Sequence, residues 1–233
     1  MPGRSLRRLA GCIVIELLLA LNGAPADFEY RAGTGEAEHA KAIAIEDRRG
    51  TRVVLVDADF AITRKTADLA SVILSKAYGL DRPQLLFRGM GGGPAHPQDL
   101  VNAATEALAH RERAQIRRTP AGLTIVTSRC LATLFPIALE NCAEGTEVHG
   151  TIRAAFQMVE PPHGLLRRDQ PIPAYPVQAI SLGKGAVLLA VGGGEAVELP
   201  GVMVVTHAND DRPLPAGPWV REAIRRLLAR VGK

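Results

Sequence analysis

Two β-branched apolar runs joined by a tight turn constrain the fold of this chain more than any other feature. Residues 41–47 (KAIAIED) and 52–59 (RVVLVDAD) flank the turn signal Arg48–Arg49–Gly50, which predicts a β-hairpin. A broad apolar stripe at helical spacing follows over 63–78 and ends at Gly79, which predicts a helix. A hairpin followed by a helix is typical of a layered α/β domain.

Predicted strands and helices also alternate along the rest of the chain. We predict a strand at 85–87, a glycine-rich loop at 89–94, a helix at 97–111, a strand at 123–128, a hairpin of 177–182 with 186–191, a strand at 202–206 and a basic amphipathic helix at 219–231. The apolar stretch 131–139 fits either a short helix or a strand. Five prolines make 160–176 an extended connector. We find no internal repeat in the sequence and predict an α/β fold with a layered mixed sheet and flanking helices.

The first 26 residues have the three parts of a secretory signal peptide. MPGRSLRR carries three arginines, Leu9 to Leu21 is almost wholly apolar, and Ala24–Pro25–Ala26 supplies small residues for cleavage. The apolar run contains Glu16 and is shorter than the roughly 20 residues of a membrane-spanning helix, so a retained anchor is the weaker alternative. We therefore expect an exported product, periplasmic or secreted, without a stable membrane span, in which 27–233 form a single domain.

Charge and cysteine content argue against two classes of site. Removing residues 1–26 lowers the formal net charge from +4 to +2, because three arginines and one glutamate are lost. The remaining basic residues form short clusters rather than a dense stripe, so we predict no nucleic-acid binding. Cys130 and Cys142 either form a disulfide or are two buried thiols. Without a C-x-x-C motif or a His/Cys cluster at ligand spacing, a structural zinc site is not predicted.

The order of these motifs resembles one family, the neutral/alkaline non-lysosomal ceramidases, in their N-terminal domain. RAGTG at 31–35, KAIAIED, VVLVDAD and Gly93–Pro94 are similar to the family's AGxGxxDIT, ARALVLED, VSAD and HTHSGP motifs. YPVQAISLG at 175–183 and LLAVGGGE at 188–195 resemble its strand pair that ends in Gly-Glu, and Ala208–Asn209 fall at its Ala-Asn-Gly-Tyr stretch. The resemblance covers about 31–110 and 170–210, and the part between is shortened relative to the family.

This resemblance implies a zinc-dependent amidase that cleaves the N-acyl bond of ceramide with a metal-bound water. Most of the family's metal ligands are missing here. Aligned on Gly93 and Pro94, the two histidines of HTHSGP fall on Gly89 and Gly91. The histidine of the family's NYACHP-like stretch has no counterpart within 123–136. The tyrosine of its Ala-Asn-Gly-Tyr stretch is replaced by Asp210 or Asp211. Only Glu195 occupies a matched ligand position.

We therefore expect an exported, degenerate relative of the ceramidases that lacks the standard zinc-amidase activity and needs no cofactor. Such a protein would bind a lipid-like or amide-containing small ligand in the former active-site cleft. A decaying copy without a selected function is a further alternative.

An active enzyme would need a relocated metal site. None of the six histidines belongs to an H-x₃-H or H-E-x-x-H motif. His96 lies just after the glycine-rich segment and His207 just before Ala208–Asn209, so both can approach Glu195 if the family fold holds. The alternative hypothesis is therefore a metal-dependent amide or lipid hydrolase in which Glu195, His96 and His207 hold zinc.

Two further sets of residues carry candidate chemistry. Asp57 and Asp59 lie two apart on one predicted strand and share a face, so they are either an acid/base pair or, as we favour for Asp59, structural residues that cap the helix beginning near Thr63. Ser128 and Cys130 lack a recognisable nucleophile elbow or catalytic partner, and we predict no nucleophilic catalysis from them.

Overall fold

The computed structural model describes residues 29–120, 122–128, 133–134, 137–140, 144–162, 174–192, 202–207 and 217–232. The predicted signal peptide, Cys130, Cys142, Glu195 and most of the predicted connector at 160–176 lie outside these residues. No helix in the described part of the chain is long and apolar enough to cross a membrane.

The first sheet is an antiparallel meander of three strands that further strands extend at both edges. Its central strands are β1 (Tyr30–Ala37), β2 (Ala40–Asp47) and β3 (Arg52–Phe60). Helix α1 (Arg64–Tyr78) and a 3-10 turn (Arg82–Gln84) lead to β4 (Leu85–Gly93), which lies parallel to β3. Helix α2 (Pro97–Ala109) then leads to the opposite edge, where β5 (Glu112–Thr119) pairs with β1.

Shorter strands extend this sheet beyond β5. They are β6 (Gly122–Val126), β7 (Thr133–Leu134), β8 (Ile137–Glu140) and β9 (Thr146–Glu147). The strand order is β4-β3-β2-β1-β5-β6-β8-β7, and β9 also pairs with β5.

The second sheet has four strands and a helix. The elements are β10 (Arg153–Val159), β11 (Tyr175–Ser181), β12 (Val187–Gly192), β13 (Val202–His207) and α3 (Pro218–Arg230). Strands β10, β11 and β12 are antiparallel, and β13 is parallel to β12. The same pattern occurs in β1, β2, β3, β4 and α2, so four strands of the first sheet and the whole second sheet share one topology. The amino-acid sequence shows no internal repeat, because the two units share their strand order but not their residues.

The alternation of side chains along the strands builds a four-layer molecule. In β3, Val53 and Leu55 face the second sheet, whereas Val54 and Val56 face α1 and α2. In β12, Leu188 packs between the sheets and its neighbours pack under α3. Because successive strand residues point to opposite faces, apolar runs that do not alternate with polar residues are buried on both sides. The layers are helices, sheet, sheet and helix.

The structure confirms the mixed α/β class, both predicted hairpins and the three predicted helices. The glycine-rich segment is a correction, because Gly89, Gly91 and Gly93 lie within strand β4 rather than in a loop, and Pro94 directly follows that strand. The ambiguous stretch 131–139 contributes strands β7 and β8.

Four strands, β1, β5, β9 and β10, were not predicted from the sequence. In β1 the glycines lower strand propensity, but one of them permits close helix packing. A Cβ atom on Gly35 would lie 2.1 Å from the carbonyl oxygen of Ala103 in α2. The helix can therefore approach this strand only where the side chain is absent.

Asp47, at the end of β2, ties the two sheets together. The side chain is 4% exposed. One carboxylate oxygen accepts hydrogen bonds from the backbone N–H groups of Arg49 and Thr51, both at 2.9 Å. The other accepts the N–H of Ile152, which precedes β10, at 2.8 Å. A single buried carboxylate thus stabilises the β2–β3 turn and holds Ile152, which leads into the second sheet, beside that turn.

We expect Asp47→Asn to lower the free energy of unfolding by about 1–2 kcal/mol, because an amide NH₂ group would face a backbone N–H donor. Urea denaturation measures the change. Glu160→Gln is the matched control, since this residue is exposed and the same loss of charge there should change stability by less than about 0.5 kcal/mol. Equal effects of the two substitutions would contradict a bridging role for Asp47.

Candidate metal centre

The carboxyl ends of the parallel strands β3 and β4 form the edge where candidate functional residues gather. Ligand sites in α/β sheets are commonly built at such ends. The two-residue turn Glu38–His39 connects β1 to β2, and Ala40 at the start of β2 pairs with Ala58 near the end of β3. This antiparallel pairing carries His39 to the same edge, where its carbonyl oxygen accepts the N–H of Asp59 at 3.2 Å.

Three side chains converge at this edge. His96 is the N-cap residue of α2, directly beyond β4, and Asp99 lies in the first turn of that helix. One ligand atom from each of His39, His96 and Asp99 lies within 4.8 Å of the other two, and all three residues are half-buried. The two imidazole rings are stacked, with centroids 4.2 Å apart. Ligand atoms on one zinc ion lie about 3–4 Å apart, so small side-chain rotations would bring this set onto an ion.

Asp59 orients the first of these histidines. The Nδ1 atom of His39 lies 3.2 Å from a carboxylate oxygen of Asp59, which leaves Nε2 available to an ion. This hydrogen bond raises the pKa of His39 above its ordinary value. Metal-binding histidines typically donate their second ring N–H to a carboxylate in this way.

The structure corrects the helix-capping role that we favoured for Asp59. The N-cap residue of α1 is Thr63, whose hydroxyl accepts the N–H of Thr66 at 3.2 Å. Asp57 is bound by Arg88 through two hydrogen bonds, of 3.0 and 2.5 Å. Each aspartate thus has its own partner, which does not favour the alternative of an acid/base pair.

A cleft of about 250 Å³ opens beside His39 and Asp59. Its polar lining comprises Glu36, Glu38, His39, Lys41, Asp57 and Asp59. Met90 also lines it and is 68% exposed. The Nζ atom of Lys41 lies 2.9 Å from a carboxylate oxygen of Glu36, so these two charges compensate each other. Asp57 is bound by Arg88 and Asp59 by His39, so Glu38, whose side chain is 84% exposed, is the carboxylate in this lining that can face a metal ion or a substrate.

Gly91 sets how closely β4 approaches β3. A Cβ atom at this position would lie 1.5 Å from the carbonyl oxygen of Asp59, and the register between the strands shifts between Ala58 and Phe60. This backbone arrangement therefore excludes any side chain at the position that matches a metal histidine of the ceramidases. Gly89 pairs with Ala58 and offers no side chain either.

The structure does not test the predicted ligand set of Glu195, His96 and His207 as a whole. His96 lies at the centre, but its neighbours are His39 and Asp99. Glu195 lies outside the described residues, and His207 is the last residue of β13. The sequence did not reveal His39 because β1 was not recognised, so the Glu38–His39 turn was not recognised either. Asp99 was not predicted as a ligand either, because an acidic residue in the first turn of a helix is common without a metal ion.

No protein-family model, curated protein or solved structure matches this chain. The relation to the ceramidases therefore depends on the motifs described above and stays a prediction.

Asp59→Asn tests the orienting role of this carboxylate. We expect metal affinity to fall about tenfold, as is typical when a carboxylate behind a metal-bound histidine is lost. In metal-free protein the pKa of His39 should fall, because a carboxylate stabilises the imidazolium and an amide does not. A chelator-competition titration and an NMR titration measure the two effects. Unchanged values for both would show that Asp59 does not act through His39.

Proposed function

We propose that this chain is a metal-dependent hydrolase with a zinc-type site made by His39, His96 and Asp99. The observation that carries the proposal is the approach of the three ligand atoms to within 4.8 Å of one another. Two imidazoles and one carboxylate are a donor set that suits Zn²⁺, and three protein ligands leave one coordination position for water or substrate. Asp59 supports the site by orienting His39.

The chemistry of such a site is hydrolysis of a polarised carbonyl. A zinc ion held by these residues would supply a Lewis acid and a water whose pKa is lowered to about 7. Glu38 would serve as the proton acceptor of the site, since one of its oxygens lies 3.8 Å from Nε2 of His39. The resemblance to the ceramidases supports an amide-containing, lipid-like substrate, and the signal-peptide pattern of the first 26 residues supports an exported protein. The cleft of about 250 Å³ would hold the part of the substrate around the scissile bond.

A second candidate is a non-catalytic, degenerate relative of the ceramidases that binds an amide-containing or lipid-like ligand without zinc. The contact between Gly91 and Asp59 favours it, because this backbone cannot accept the histidine of the family's motif. In that case His39 and His96 would be ligand contacts or surface residues.

Metal analysis of the purified protein distinguishes the candidates. The hydrolase proposal predicts one zinc ion per chain after dialysis, together with hydrolysis of an N-acyl amide that a chelator abolishes. Glu195→Ala should leave the zinc content unchanged, whereas its loss in this variant would favour the ligand set Glu195, His96 and His207. Protein that takes up no zinc would favour the non-catalytic candidate. Zinc uptake without amide or ester hydrolysis would contradict the enzymatic part of the proposal.

A further inference from the structure

A second cavity lies where the two sheets meet near the start of α1. It has a volume of about 80 Å³. Its apolar wall comes from Ile62, Ala67, Phe87, Phe156, Met158 and Pro176. The wall thus combines β4 of the first sheet with β10 and β11 of the second. None of the residues proposed for the metal centre lines it, so the two sites are separate.

Arg82 contributes a positive charge to the lining of this cavity, beside its aromatic residues. Its side chain is 25% exposed. The guanidinium carbon lies 5.6 Å from the ring centroid of Phe87 and 4.8 Å from that of Phe156. One nitrogen donates to the carbonyl oxygen of Leu85 at 2.7 Å. The buried Nε atom has no hydrogen-bond partner in the part of the chain that the structure describes, and a buried donor without an acceptor is costly.

The charge around the cavity is positive. Asp68 is the carboxylate in the lining, and it lies between two guanidinium groups, 3.9 Å from Nε of Arg82 and 3.6 Å from Nε of Arg64. Helix α1 begins with Arg64 and Lys65 and has no acidic residue in its first turn. The positive end of the helix dipole therefore adds to two arginines that share one carboxylate.

We propose that this cavity binds a small carboxylate that carries a short apolar chain. The carboxylate would accept hydrogen bonds from Arg82 and Arg64, since guanidinium groups match the planar geometry of carboxylates. The chain would pack against Phe87, Phe156 and Met158. A volume of about 80 Å³ is that of two or three water molecules, so the cavity holds the carboxylate and the first carbons. The apolar wall disfavours a doubly charged phosphate, because its desolvation is costlier.

Calorimetric titration of the protein with hexanoate, hexanol and inorganic phosphate tests the proposal. We expect hexanoate to bind in the millimolar range, and hexanol and phosphate to bind at least about tenfold more weakly, because each lacks either the charge–guanidinium contact or the apolar contact. Absence of hexanoate binding, or equal affinity for hexanoate and hexanol, would overturn the proposal. Tighter binding of phosphate would show an anion site that does not recognise the apolar chain, and would also overturn it.

Two variants locate the binding. Met158→Trp fills the cavity without changing its charge and should abolish hexanoate binding. Arg64→Gln should weaken binding about tenfold, and it changes an exposed side chain, so it remains informative if the tryptophan variant does not fold. Lys76→Gln is the matched control, because it removes a positive charge from the last turn of the same helix and should leave hexanoate affinity unchanged. Equal effects of Arg64→Gln and Lys76→Gln would place the binding elsewhere.

Discussion

His96→Ala is expected to abolish stoichiometric zinc binding. The imidazole of His96 is one of only two in the candidate set, and it stacks on the other. Without it, His39 and Asp99 leave two ligands, too few for a stable zinc site. Since loss of even an outer-shell partner lowers metal affinity 10–100-fold, we expect a loss of more than about 100-fold. Metal analysis after dialysis and chelator competition measure the loss, and amide hydrolysis should disappear with the metal.

The variant should fold, which makes the result interpretable. His96 is the N-cap residue of α2, but its side chain makes no capping hydrogen bond, so alanine removes little helix stability. The control is His110→Ala, which removes the histidine at the opposite end of the same helix, where the side chain is 65% exposed. Zinc binding that survives His96→Ala, or that falls equally in both variants, would refute the proposed centre.

The sequence predicted those strands and helices whose own residues show the hydrophobic period of a strand or a helix. The hairpin of β2 and β3 and the helix α1 were found because β-branched runs, a turn and a 3.6-residue apolar stripe are local features. Strands β1 and β5 were missed because tertiary packing, rather than propensity, makes them strands. Gly35 lies in β1 because α2 packs on it, and β5 has only two buried residues, Ala114 and Ile116, among charged and polar ones.

The candidate site was predictable only at His96. Its place after a strand and before a helix was visible in the sequence, since both elements have strong local patterns. Its neighbour His39 comes from a turn 57 positions earlier, and the pairing of β3 with both β2 and β4 brings the two together. A spacing rule such as H-x₃-H detects ligands on one helix and cannot detect ligands that meet through sheet topology.

Gly91→Ala is expected to destabilise the fold and weaken the metal centre together. The added Cβ atom would lie 1.5 Å from the carbonyl oxygen of Asp59, so β4 must move away from β3. Gly91 lies in the half-buried part of β4, but the clash is with backbone rather than with the end of a flexible side chain, so it is relieved only if a strand moves. We expect the free energy of unfolding to fall by about 1–3 kcal/mol. Zinc affinity should also fall, because the N–H of Asp59 is bonded to the carbonyl oxygen of His39.

Gly92→Ala separates this steric effect from the general effect of replacing a strand glycine. A Cβ atom at position 92 would meet no atom within 4 Å, and the substitution reduces the entropy of the unfolded chain by the same amount as at position 91. Stability should therefore change by less than about 0.5 kcal/mol, and zinc affinity should not change. Urea denaturation and chelator competition on both variants make the comparison. If the two alanines behave alike, the close approach of Gly91 to Asp59 does not hold the edge on which His39 and His96 meet, and both the strand register and the centre built on it are wrong.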